Sequence, residues 1–129
     1  MSTSTQTAGG VTFTAPMPGL AGVTDFSLRP IPETDGLYAL EGSGSFSVRL
    51  FLADAALFVP DYAPPVPARV LLELGLAELA AGQILVVVNP ADSGTTVNLM
   101  APVVLNAATG TCTQVVLESN AYPLQHLLT

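Results

Sequence analysis

Few side chains in this 129-residue sequence have the type and spacing that chemistry requires. His126 is the only histidine, so an imidazole-based metal cluster would draw its other protein ligands from carboxylates alone. Cys112 is the only cysteine, which excludes an intramolecular disulfide and a cysteine-based zinc site. Its place in an apolar run favours a small buried residue over a reactive thiol. Gly42-Ser43-Gly44-Ser45 lacks the Gly-Lys-Ser/Thr end of a phosphate loop and the glycine spacing of a nucleophile elbow; it reads as a flexible loop. Ten carboxylates are dispersed along the chain, and a catalytic pair among them would have to meet in space. On these residues the chain is not an enzyme, and no catalytic, cofactor or metal ligand is assigned.

Charge is the more informative property. Arg29, Arg49 and Arg69 are the only basic residues besides His126, there is no lysine, and the net charge is −7. Nucleic-acid binding is excluded, because phosphate contacts need clustered Lys and Arg. The balance fits a basic or neutral protein partner, or simply an acidic surface. Residues 1–10 are rich in Ser, Thr and Gly, without the basic and apolar regions of a signal peptide, and read as a disordered tail. Residues 11–129 then form one domain. The longest apolar stretch, Leu50 to Val59, contains Asp54 and is too short to span a membrane, so a cytoplasmic protein is expected.

The elements that must position these residues are mostly short strands. Val11 to Ala15 alternates apolar and polar; Phe26 with Leu28, and Tyr38 with Leu40, make two further candidates. From Ser45 to Leu52 the period is two, with Phe46, Val48, Leu50 and Leu52 on one face and Arg49 on the solvated one. Leu57-Phe58-Val59 is another apolar run, and the three prolines between Ala63 and Pro67 predict an extended connection. One short helix is expected over residues 67–75, with Pro67 at its start and Gly75 as its C-cap. Leu76 to Ala81 stays undecided between helix and loop. Gln83 to Val88 reads as a central strand buried on both faces. Two runs, Thr96 to Asn106 and Thr113 to Glu118, make a hairpin across Ala108-Thr109-Gly110, with Gly placed for positive φ. Tyr122-Pro123-Leu124 adds a tail element. The fold class is all-β, a small antiparallel barrel or sandwich.

Three motifs stand in a fixed order along this frame. Phe58-Val59-Pro60-Asp61-Tyr62 makes an aromatic Pro-Asp-Tyr turn. Val97-Asn98-Leu99-Met100-Ala101-Pro102-Val103-Val104-Leu105-Asn106 follows, and Gln114 to Glu118 leads into Tyr122-Pro123-Leu124 and His126. Pro18-Gly19-Leu20-Ala21-Gly22 and Leu74-Gly75-Leu76 are weaker markers. Together they resemble the FliW family of bacterial flagellar assembly factors over residues 13–127. Three departures stand out: the small neutral loop Gly42 to Ser45 where the family is commonly more acidic, Ala55 at a frequent Pro, and Ala39 at a frequent aromatic.

The resemblance implies a barrel-like, non-catalytic cytoplasmic protein that binds flagellin. It also implies capture of CsrA, an RNA-binding translational repressor, which relieves repression of flagellin synthesis. For partner contact the expected residues are Asp61, Tyr62, Glu73, Glu78 and Glu118. Phe58, Pro60, Asn98, Pro102, Asn106, Tyr122 and Pro123 are expected to be structural: Asn98 satisfying backbone groups, Pro102 marking an edge or bulge, Phe58 in the core. Two other function classes compete. A small-molecule-binding barrel would show a ligand-sized apolar cavity, and a hydrolase would need two close carboxylates with divergent pKa values.

Overall fold

Seven strands close into a barrel whose last seam is parallel. The computed structural model describes residues 9–15, 17, 23–32, 34–42, 49–90, 94–117, 122–123 and 125–127. β1 (Gly9–Phe13), β2 (Asp25–Pro30), β3 (Leu37–Gly42) and β4 (Arg49–Asp54) form an antiparallel meander. β4 pairs with β5 (Gln83–Asn89), placing Asp54 opposite Leu85. The first half of β5 pairs with β7 (Val103–Asn106), which turns into β8 (Thr111–Gln114). β8 then meets β1 in parallel register, Thr12 beside Thr111 and Phe13 beside Cys112. Beyond the barrel, β6 (Thr96–Val97) adds to the second half of β5, and β9 (His126–Leu127) to β6. The architecture is thus a barrel and not a sandwich, antiparallel except at the β1–β8 seam.

Alternation explains the closure. Val11, Phe13, Leu28, Leu40, Leu52 and Cys112 point inward, joined by Leu85, Val103 and Leu105. Their side chains fill the interior: the void among them is about 10 Å³, room for one water at most. Outward-facing Val86 and Val104 are also buried, under two separate layers, so β5 and β7 are apolar on both faces. One layer is α2 (Ala68–Leu74), which packs Val70 and Leu74 over Val104, Val115 and Leu117. The other holds Ala53, Ala55, Val97 and Leu99 against Phe58, Tyr62 and Tyr122.

Several expectations shift in detail. β1 begins at Gly9, ahead of the alternation that starts at Val11. In the apolar run Leu57-Phe58-Val59, Leu57 and Phe58 end the helical turn α1 (Ala55–Phe58), which the Asp54 carboxylate caps by accepting the Ala56 N–H at 3.0 Å, and Val59 follows as the C-cap. Pro67 caps α2 from the extended region, one residue before the helix. At the other end Gly75 has φ 73°, and the Leu76 N–H reaches the Leu71 carbonyl at 2.8 Å, a Schellman ending. The undecided stretch contains a 3-10 turn, Leu79–Ala81. The long run from Thr96 to Asn106 is two strands, β6 and β7, separated by a turn at 98–102. Ser45 to Val48, Pro18 to Gly22, Glu118 and Leu124 lie outside the described residues.

Candidate functional site

The three motifs interlock in one corner of the molecule. Asn98 Oδ1 accepts the N–H groups of Met100 and Ala101 at 2.9 and 3.2 Å, folding the chain between β6 and β7. That turn delivers the Leu99 carbonyl to the Tyr62 hydroxyl, which donates to it, while the Leu99 N–H donates to the Pro123 carbonyl at 3.0 Å. Tyr122 meets Tyr62 edge to face, with ring centroids 4.8 Å apart, and donates its hydroxyl to the Ala63 carbonyl at 3.0 Å. Burial, with Tyr122 adding to it, pushes the Tyr62 phenol above its ordinary range. Pro102 is buried, and its carbonyl accepts the Val115 N–H at 2.8 Å. Asn106 bridges layers: Nδ2 donates to the Leu74 carbonyl at the end of α2 (2.8 Å) and Oδ1 accepts the Ala108 N–H (3.0 Å).

Two open grooves flank this corner. The first, about 590 Å³, runs between α1, the Pro60 to Pro64 segment and the 3-10 turn. Small residues dominate its lining, Ala55, Ala56, Ala63, Ala80 and Gly82, with Tyr62, Leu79 and Ile84 as the larger side chains. Asp54 is the charged residue in its lining, held by the Ala56 N–H and by the Gln83 side-chain amide at 3.3 Å. The second groove, about 550 Å³, lies between α2 and β8 and carries both Arg69 and Glu73. There Glu73 Oε1 accepts the Thr14 hydroxyl at 2.7 Å.

The expected contact residues therefore do not form one patch. Tyr62 lines the first groove, and exposed Asp61 and Glu78 each adjoin a lining residue of it in sequence. Glu73 belongs to the second groove, and Glu118 is outside the described residues. Asp54 was missed, although an Asp directly before Ala-Ala-Leu-Phe is a readable helix N-cap signal. The small residues of this lining carry no sequence signal, because they come from three separate segments.

The remaining chemistry is sparse. Among the described residues no three His, Cys, Asp or Glu side chains gather as a metal site, and no helix is long and apolar enough to cross a membrane. Cys112 sits in the barrel interior, where burial pushes its thiol up to about 12. A barrel void of about 10 Å³ is far below the roughly 300–1,000 Å³ of small-molecule pockets. The ligand-binding barrel reading has no interior to rest on.

Comparison with known proteins agrees with the interlocked motifs. The family model described as FliW protein matches residues 2–128. The flagellar assembly factor FliW of Moorella thermoacetica is 30% identical over 115 residues, covering 87% of this chain and 73% of that protein. That of Thermotoga neapolitana is 33% identical over 115 residues, covering 87% and 77%. A crystal structure of the flagellar assembly factor FliW superposes with a TM-score of 0.82 at 22% identity, over 99% of this chain and 89% of the other, and so shares the fold. With its motif corner, its filled barrel and a match over nearly its whole length, this chain belongs to the FliW family of flagellar assembly factors.

Proposed function

We propose that this chain is a non-catalytic cytoplasmic regulator that binds flagellin and captures a CsrA-type translational repressor when flagellin is exported. Flagellin level would then govern flagellin translation. The observation that carries the repressor arm is the distribution of charge. An RNA-holding partner presents Lys and Arg, and this chain has a net charge of −7 and no lysine. Two of its three arginines are already engaged: Arg29 and Arg49 both pair with Glu41, at 3.1 and 3.6 Å. The acidic surface is thus left to attract a basic partner. The filled barrel supports recognition at the surface, and the apolar lining of the first groove suits an amphipathic segment such as those at flagellin's chain ends.

Calorimetric titration against the flagellin and the CsrA of the same organism, separately and in competition, tests the reading. Binding to both is the expected result, and competition would establish a switch. A folded protein that binds neither would overturn it.

A further inference from the structure

We infer that the groove between α1, the Pro60 to Pro64 segment and the 3-10 turn docks a cationic amphipathic helix of a protein partner. The inference rests on the reading that this chain captures a basic protein; it adds where and in what form.

Shape is the first argument. A lining of alanines and one glycine among a few larger side chains leaves room for a partner's large apolar side chains, over about 590 Å³. Gly82 is fixed in that role, since a Cβ there would lie 2.8 Å from Leu76 and 3.1 Å from the Leu105 carbonyl.

Secondary structure selects a helix over a strand. Only Gln83 and Ile84 of β5 line the groove, and they pair with Leu105 and Val104 of β7, so β5 contributes two residues there and not a strand's length. The groove offers no continuous strand edge to extend, so recognition must come from side chains. Apolar residues at i, i+3, i+4 and i+7 of a helix supply them along one line.

Charge selects the sign of the flanks. Asp54 lies in the groove, and exposed Asp61 and Glu78 sit next to lining residues. Among the described residues no arginine lines it: Arg29 and Arg49 are on Glu41, and Arg69 lines the other groove. The α2–β8 groove carries both signs, Arg69 beside Glu73. An apolar lining with acidic groups alone complements an apolar helix face flanked by Lys and Arg. The lining is set in advance, Tyr62 by the Leu99 carbonyl and Tyr122, α1 by its Asp54 cap, which lowers the ordering cost of docking.

The test is calorimetry on the full chain with the same two proteins, comparing wild type with Asp61→Lys/Glu78→Lys, Ala80→Trp and Glu73→Lys. All four positions are exposed, and circular dichroism verifies folding. Affinity for the basic partner should fall at least about tenfold in both groove variants and stay within about twofold for Glu73→Lys. Wild-type binding that both groove variants retain overturns the groove and leaves the proposed function standing. If wild type binds neither protein, the proposed function fails, and a synthetic amphipathic Leu/Lys helix decides the groove by amide chemical-shift mapping. Shifts within 54–64 and 79–84 that Ala80→Trp abolishes uphold it. Shifts at 69–73 and 113–117, or no shifts, overturn it.

Discussion

At the residue scale, the polar side chains of the motifs hold backbone in place. Asn98 takes two N–H groups that the turn at 98–102 leaves without strand partners. Asn98→Ala strands both and should cost about 1–3 kcal/mol, read as a lower urea midpoint; an unchanged midpoint would remove the structural role. The sequence pointed to this residue because Asn is a poor strand former, but the acceptors and donors it joins lie on a turn that no periodicity reveals. Two weak acids with raised pKa give a further expectation. Cys112 is raised from 9.0 to about 12 and Tyr62 is raised above 10.0. In both, the neutral form is favoured by folding, so their contribution is fully present below the unfolded pKa and is lost as pH rises toward the folded one. Stability should hold to about pH 9 and decline between 9 and 12. A Cys112→Ala/Tyr62→Phe double variant, less stable at neutral pH, should show a flatter decline in urea melts. An equally steep decline would assign the alkaline loss to other groups.

At the element scale, the signals that were legible are local ones. α2 announces itself by Pro67, Val70, Leu74 and Gly75, and the β7–β8 hairpin by Gly110. Elements fixed by distant partners were less legible. The parallel β1–β8 seam brings together residues about a hundred positions apart, and no sequence pattern encodes that meeting. Gly110 records it indirectly. Its φ is 78°, and a Cβ there would lie 2.8 Å from the Gly10 carbonyl oxygen on β1. The Gly110 carbonyl in turn accepts the Thr12 N–H at 2.8 Å. Gly110→Ala therefore strains the hairpin and pushes the seam apart, with an expected loss of about 1–3 kcal/mol in thermal or urea unfolding. Gly9, also at positive φ but with open space around the added Cβ, is the control, and Gly9→Ala should cost less. Equal losses would mean that φ alone, and not the close approach of β1, makes Gly110 necessary.

At the scale of the whole molecule, charge is arranged unevenly. Both arginines of the β2–β4 face are held by one carboxylate, Glu41, while Arg49 also lies over the Phe51 ring at 5.4 Å. Asp25, Asp35, Asp61, Glu73 and Glu78 are exposed, and Arg69 is the one arginine outside that cluster. Composition discloses the sum of the charges but not their arrangement, and partner choice depends on which carboxylates share a surface with the apolar groove. A field of this sign acts before contact, by steering, and is screened over about 8–10 Å near physiological ionic strength. The association rate with a CsrA-type partner should therefore fall by about tenfold or more as salt rises from about 50 to 500 mM, with the dissociation rate changing far less. Stopped-flow mixing at several ionic strengths reads both. An association rate flat across that range would take long-range charge out of partner capture and leave the apolar groove to account for the affinity.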